Sequence, residues 1–305
     1  MDDGLVIARL VHFAGAMAAF GGAAFALYAL DRDIDSPEAS AVARFDRWDA
    51  GLLRVSALVI LASGLAIIPF VAARMAGIES AAFDPGTIGL VLSDTAFGRV
   101  WCWHLLFTVL LIVSAAIAAH RRALILVCAA LALASLGWVG HAAGGSGWAG
   151  LGRELNQSVH LLAAGLWLGG LLPLGWLLGR ARVGEARFDA LARQALPAFS
   201  HMGYATVAVI AITGTVNTVI LAGSLDALFG TDYGRLLSLK ILLYLAMATI
   251  ALRNRFRLMP RLSNACPGAA RALHRSVLVE QAIGLAVLTA VSLLGTWPPP
   301  VPHHH

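Results

Sequence analysis

Residues 156–179 read NQSVHLLAAGLWLGGLLPLGWLLG. The stretch contains no Asp, Glu, Lys or Arg, and it is long enough to cross a bilayer as a helix, which takes about 20 apolar residues. Seven further stretches of this kind fill most of the chain, so we predict eight transmembrane helices. Their predicted bounds are 7–30, 51–73, 98–119, 123–143, 156–179, 200–223, 234–252 and 276–297.

The composition agrees with a membrane protein that lies in a lipid bilayer. Charged residues make up 13% of the chain and hydrophobic residues 59%, whereas soluble domains usually carry roughly 25% charged residues. The net charge of +5 comes from arginines in loops, which form no stripe that could follow nucleic acid. The three cysteines show no paired spacing, and no basic region precedes the first apolar stretch. We therefore expect an all-α polytopic membrane protein whose first helix is retained and which does not bind nucleic acid.

The arginine residues predict the orientation of these helices. Most of them fall in the loops that follow the first, third, fifth and seventh predicted helices, and few fall in the alternate loops. Because short cytoplasmic loops carry an excess of arginine and lysine, we expect the arginine-rich loops to be cytoplasmic and both termini periplasmic. Helix-breaking residues fall between the predicted helices: Pro37, Pro85, Pro197, Pro267 and the pair Gly144-Gly145.

Two parts of the chain share a pattern of polar and glycine residues. The run from His12 to Gly21-Gly22 matches the run from His160 to Gly169-Gly170 at the same spacing. Further matches are Ser63-Gly64 with Thr213-Gly214, and Gly98-Arg99 through His104 with Gly234-Arg235 through Lys240. We therefore predict a single membrane domain over 1–305, built as a parallel 4+4 repeat of about 5–145 and 154–297. Residues 298–305 are expected to be a flexible tail or a tag remnant.

Four histidines lie near the predicted periplasmic ends of four different helices: His12, His104, His141 and His160. Lys240 lies at the same predicted depth. Ionisable groups inside a membrane are costly and usually face the bundle interior or a wet cavity, and neutral imidazole suits copper, zinc, iron and nickel. We predict a metal site to which two or three of these histidines contribute. The alternative interpretation is that they only join helices by hydrogen bonds.

Other polar residues are candidates for supporting this site or a path across the membrane. Asn156 and Gln157 precede His160 on one helical face and are expected to fix its ring as outer partners, and Trp138 stands three residues before His141. Lys240 belongs to the same supporting group. The candidate pathway consists of deeper or inner residues: Met17, Asn217, Met247, His201 and Glu280. Glu280 is expected to pair with the arginines of 253–257.

The run Gln157-Ser-Val-His160-Leu-Leu-Ala-Ala-Gly-Leu-Trp167-Leu-Gly-Gly170-Leu resembles the signature of the CopD family of copper-resistance membrane proteins. Weaker matches are Thr213-Gly-Thr-Val-Asn217, Gly234 to Lys240, Asn254-Arg255 and Glu280-Gln281. The family usually has an aspartate where this chain has Gln157, and the amide attracts cations less. The resemblance implies a multi-pass protein of the bacterial inner membrane that takes part in copper homeostasis. It also implies that copper ion arrives on the periplasmic side from a separate CopC-like donor and moves inward.

Two other functions remain open. The first is a b-type haem oxidoreductase, in which His104 would face His141, or His12 would face His160. The second is a copper sensor or assembly factor that does not transport the ion. We find no nucleophile–base pair, phosphate-binding loop or paired carboxylates, so we do not expect an enzyme.

Overall fold

The computed structural model describes residues 2–30, 38–117, 121–139, 147–264 and 266–300. Within these ranges seven helical segments are long and apolar enough to cross a membrane, and an eighth, Arg122–Trp138, is apolar but shorter. Each of the eight predicted crossings thus corresponds to a helical segment. The α-helices are α1 Asp2–Tyr28, α2 Ala39–Ala76, α3 Pro85–Asp94, α4 Ala96–Ile117, α5 Arg122–Ser135, α6 Gly147–Ala164, α7 Gly170–Ala181, α8 Ala186–Ala222, α9 Leu225–Gly230, α10 Asp232–Arg253, α11 Met259–Ser263 and α12 Ala269–Leu294.

Several predicted loops are helical in the structure, and these predictions were wrong. α2 and α8 begin well before the apolar stretches, at Ala39 and Ala186, and Pro197 lies inside α8. The apolar stretch sets the bilayer crossing but not the helix length, because arginine and glutamate are good helix formers outside the membrane. Two short helices, α3 and α9, occupy predicted loops, and each begins at a side chain that accepts a backbone N–H, Asp84 or Ser224.

Two of the long helices contain a π-helical segment. Gly165–Gly169 joins α6 to α7, and Asn254–Leu258 joins α10 to α11. Each segment shifts the register of the helix that contains it, and such segments are frequent at functional sites. The first of them packs against the middle of α1.

Glycines allow α1 to cross this π-helical segment at very short range. A Cβ atom added to Gly21 would collide with backbone atoms of Gly165 and Gly169, and a Cβ on Gly169 would collide with the carbonyl of Met17. Small residues at helix crossings permit this close backbone approach in membrane proteins. The crossing therefore joins the first half of the chain to the second through main-chain contact.

Polar contacts also join the two halves on the arginine-rich side of the bundle. Arg44 donates to Glu185 at 2.6 Å, and Arg187 donates to Ser40 Oγ at 2.6 Å. The hydrogen bond from Arg44 lowers the pKa of the Glu185 carboxyl. In the first half, Arg122 contacts Asp46 at 2.8 Å.

Candidate metal centre

Two buried histidines from different helices meet inside the first half. His12, in α1, is 1% exposed, and His104, in α4, is fully buried. Their Nε2 atoms lie 3.0 Å apart and their ring centroids 4.8 Å apart. The two residues are 92 positions apart in the chain, so only the folded bundle brings them together.

The surroundings of His104 place the hydrogen on one of its two ring nitrogens. Its Nδ1 lies 3.0 Å from the carbonyl oxygen of Ala132 and 2.9 Å from Ser135 Oγ. The Ser135 hydroxyl donates to the same carbonyl at 2.8 Å, so both groups accept from the ring. A carbonyl oxygen can only accept, so Nδ1 of His104 carries the hydrogen and Nε2 carries a lone pair.

The same reasoning places the hydrogen on Nδ1 of His12. This nitrogen lies 2.9 Å from Ser63 Oγ, and the single hydroxyl hydrogen of Ser63 goes to the carbonyl of Val59 at 2.5 Å. Ser63 therefore accepts from His12, and Nε2 of His12 is also left with a lone pair. The short contact between His12 and His104 thus brings two lone pairs together.

Two lone pairs in contact repel each other unless a cation lies between them. A shared proton fits the 3.0 Å distance directly, whereas a metal ion, with bonds of about 2.0 Å to each imidazole nitrogen, would sit beside the line that joins the two atoms. Imidazole nitrogen is a good ligand for copper and other transition metals. Each ring already donates from its other nitrogen to a fixed acceptor, which is the usual outer support of a histidine ligand. The arrangement can therefore hold a small cation on two prearranged ligands.

Trp101 packs over this pair and was not predicted from the sequence. Its ring centroid lies 5.0 Å from that of His104 and 5.4 Å from that of His12, and its indole N–H donates to the carbonyl of Gly64 at 3.0 Å. A Cβ on Gly64 would lie 3.3 Å from Cε1 of His12, so this glycine lets α2 approach the ring. The spacing of three residues between Trp101 and His104 was the available signal.

A cavity of about 320 Å³ leads to His12, and two arginines line it. Arg9 lies 5.7 Å from the ring centroid of Phe13, and its Nε is buried without a hydrogen-bond partner in the described part of the chain. Arg74 donates to the carbonyl of Thr296 at 2.5 Å. Arg74 also lies 3.8 Å from Asp2, so the approach to the histidine pair is bordered by two guanidinium groups, one of them near a carboxylate.

His160 lies apart from this pair, in the second half. It is buried, and its Nδ1 lies 2.8 Å from Thr213 Oγ1, whose hydroxyl donates to the carbonyl of Val209 at 2.6 Å. Nδ1 of His160 therefore carries the hydrogen and Nε2 a lone pair. His160 lines a cavity of about 360 Å³ together with Lys240.

The expected outer partners of His160 make other contacts, which corrects the prediction. Asn156 donates to Asn217 Oδ1 at 2.8 Å, and Asn217 donates to Gln157 Oε1 at 2.8 Å. The helical spacing placed the two amides near His160 correctly, but their side chains hydrogen-bond to Asn217 of α8 and not to the histidine ring. Thr213, four residues before Asn217, is the partner of the ring instead.

The fourth candidate ligand, His141, lies outside the described residues. Its expected neighbour Trp138 ends the short 3₁₀ segment Leu136–Trp138 that follows α5, and this tryptophan is 37% exposed. Within the described ranges no three or more His, Cys, Asp or Glu side chains are grouped as a metal site.

The candidate pathway residues lie at separate places. Met17 is buried beside the α1 crossing, and Met247 is buried and lines the cavity of His160. Asn217 belongs to the amide cluster described above, and His201 is exposed, 3.5 Å from Arg255. They do not form a continuous chain of ligands among the described residues.

Glu280 is buried without the arginine partner that the sequence predicted. It accepts a hydrogen bond from Asn254 at 2.6 Å, and Ser276 donates to the same asparagine at 2.6 Å. Asn254 belongs to the π-helical segment Asn254–Leu258, so this segment places a polar group on the carboxyl. Trp167, of the segment Gly165–Gly169, lines the same cavity as Glu280.

Comparisons with known proteins match both halves of the chain. The family model described as "Copper resistance protein D-like, N-terminal domain" matches residues 1–151, and the model "Copper resistance protein D" matches residues 193–294. Inner membrane protein YebZ of Escherichia coli (strain K12) is 31% identical over 95% of this chain and 97% of its own length.

Two further relatives carry names that refer to copper. Copper resistance protein D of Pseudomonas syringae pv. tomato is 28% identical over 98% of this chain and 98% of its own length. Copper transport protein CutJ of Bacillus subtilis (strain 168) is 30% identical over 75% of this chain and 42% of its own length. No solved structure matches the chain.

Proposed function

The chain belongs to the copper resistance protein D family, and we propose that it is a multi-pass inner-membrane protein that binds copper ion between His12 and His104. The observation that carries this proposal is the 3.0 Å contact of two Nε2 lone pairs. Copper suits such imidazole ligands, and the names of two relatives refer to copper resistance and copper transport.

We place the histidine pair on the periplasmic side and the arginine-rich loops in the cytoplasm, following the positive-inside rule. Copper then arrives from outside and moves inward, as the sequence resemblance implies. Arg9 and Arg74 line the approach to His12 and repel free cations. This positive lining favours delivery by a donor protein of the CopC type, which would carry the ion past the two arginines.

We also propose that the two halves are parallel repeats. Support comes from contacts that occur once in each half. Ser63 holds His12 as Thr213 holds His160, and the glycine that follows each hydroxyl residue lies against the ring. Passage between the halves would lead from the histidine pair past Met17 towards buried Glu280.

A direct contact between His12 and His104 leaves no space for a porphyrin between their rings. His160, one member of an expected haem pair, lines a different cavity from His12. His12 and His160 are therefore poorly placed to ligate one haem, which counts against the haem alternative. An absorption spectrum of the purified protein with a strong Soret band would nevertheless overturn the copper proposal.

Copper binding by the purified protein tests the proposal directly. We expect the wild type to bind Cu(I) and the variants His12→Ala and His104→Ala to lose that binding. The exposed histidine variant His201→Ala is the matched control, because it removes an imidazole far from the pair. Unchanged binding in the His12 and His104 variants would refute the site.

Uptake into membrane vesicles separates transport from binding. The double variant of His12 and His104 should abolish copper uptake. Tight binding by the wild type without any uptake would instead identify a sensor or assembly factor.

A further inference from the structure

The second half contains a counterpart of the histidine pair in which one histidine is replaced by lysine. His160 corresponds to His12, since each donates from Nδ1 to a hydroxyl group, Thr213 or Ser63, at 2.8 and 2.9 Å. Each hydroxyl in turn donates to the carbonyl four residues earlier. A Cβ on Gly214 would lie 3.4 Å from Cε1 of His160, close to the 3.3 Å found for Gly64 and His12.

The helix that carries Lys240 begins in the same way as the helix that carries His104. The Gly98 amide donates to Thr95 Oγ1 at 2.9 Å, and the Gly234 amide donates to Thr231 Oγ1 at 3.0 Å. Both threonines also donate back to a carbonyl of the short helix before them. His104 and Lys240 each lie nine residues after their threonine, so they occupy equivalent positions.

The chemistry of the two positions differs in a simple way. In the first half, His12 and His104 offer two lone pairs and no cation. In the second half, His160 offers one lone pair, and Lys240 brings an ammonium group, which has three donors and no lone pair. The ammonium group and the His160 ring line the same cavity of about 360 Å³.

Among the residues that the structure describes, no carboxylate pairs with Lys240. None of the described carboxylates lines this cavity either. Leu237 stands where Trp101 covers the histidine pair, so the second half keeps an open cavity and not a packed ring stack. An ionisable group at such a position normally faces a partner or a cavity, and here it lines the same cavity as His160.

We infer that Lys240 is a tethered cation that closes the second half to metal, so that the chain holds one copper ion and not two. The second half is then a latent metal site, which the single substitution Lys240→His opens to copper and similar imidazole-binding metals. This inference rests on the proposed copper site of the first half only for the number of ions in the wild type.

Counting Cu(I) ions per purified chain, with a coloured competing chelator, tests the inference. We expect one ion for the wild type, two for Lys240→His, and one for Lys240→His combined with His12→Ala. Lys240→Leu removes the charge without adding a ligand and should stay at one ion. Two ions in the wild type, or no gain in Lys240→His, would overturn the inference.

The combined variant separates this inference from the proposed function. If the wild type binds no copper but Lys240→His with His12→Ala binds one ion, the first-half site fails and the latent site stands. If the wild type binds one ion and the combined variant binds none, the latent site in the second half is refuted and the proposed site in the first half stands.

The reciprocal substitution gives a readout that does not depend on the folding of Lys240→His. His104→Lys should abolish copper binding and should melt at a higher temperature than His104→Met, because its ammonium group faces the lone pair of His12. A melting temperature at or below that of His104→Met would also count against a tethered cation.

Discussion

Ser63 fixes the hydrogen on Nδ1 of His12, so Ser63→Ala tests the assigned lone pairs without touching a ligand. Alanine leaves the Nδ1 hydrogen without its acceptor, and a buried donor that loses its partner costs roughly 1–3 kcal/mol. The ring avoids that cost by moving the hydrogen to Nε2, where it can donate to His104. The copper ion must then displace this hydrogen before it binds.

The size of the effect follows from the role of an outer partner of a histidine ligand. Loss of such a partner usually weakens metal binding 10–100-fold, which corresponds to about 1.4–2.7 kcal/mol. We therefore expect the Cu(I) dissociation constant of Ser63→Ala to rise by this factor. A titration against a competing chelator, with the protein in detergent, measures it.

Thr213→Ala is the matched control for this experiment. Thr213 makes the same contacts to His160 that Ser63 makes to His12, but it lies in the half that we expect to hold no copper. Its dissociation constant should stay within about twofold of the wild type. The reasoning is refuted if Ser63→Ala binds as tightly as the wild type, or if Thr213→Ala loses as much affinity.

Three predictions concern stability, each measured by thermal unfolding in detergent. Gly21→Ala should lower the free energy of unfolding by ~1–3 kcal/mol because the added methyl group collides with backbone atoms. Gly51→Ala is the control, since Gly51 has open space around it, and it should not destabilise the protein. Equal effects of the two substitutions would refute the close helix crossing. Glu280→Ala should cost about 1–3 kcal/mol by leaving the Asn254 amide unpaired, and Glu280→Gln, which keeps an acceptor, should cost less. Because Arg44 lowers the pKa of Glu185, their contact stabilises above the unfolded-state pKa and is lost as pH falls through the folded-state pKa. Acid should therefore lower the melting temperature of the wild type more than that of Glu185→Gln, and equal losses would contradict this.

The apolar helices could be predicted from the sequence because a run of about 20 apolar residues is a strong local signal. Seven of them are long enough to span a membrane, and the eighth, Arg122–Trp138, is shorter. Helix ends could not, because polar residues outside the bilayer continue a helix without any change of pattern. The extensions of α2 and α8 and the helical position of Pro197 are examples. The two π-helical segments leave no clear sign in the sequence either, because each depends on how the helix packs against its neighbours.

The candidate site was predicted in part. Their matched depth near the predicted periplasmic ends of two helices identified His12 and His104 as candidate ligands. Depth could not show that their rings touch, since that depends on how α1, α2 and α4 pack. The roles of Asn156 and Gln157 were wrong for the same reason: a shared helical face gives nearness, whereas Asn217 of another helix decides the hydrogen bonds. Trp101 could not be predicted as part of the site because an aromatic residue in an apolar helix does not stand out from its neighbours.

The glycine crossing of α1 with the segment Gly165–Gly169 limits how the two halves of the chain can move relative to each other. Sliding along either helix would drive backbone atoms together, whereas a rocking rotation about the crossing avoids that collision. His12 lies nine residues from Gly21, a lever arm of ~13 Å, so a tilt of ~10° displaces His12 by ~2 Å. Gly295, which follows α12, lines the cavity that contains His12. A small tilt of one half against the other would therefore widen or narrow this cavity. Movement of the two halves would then control access to the histidine pair.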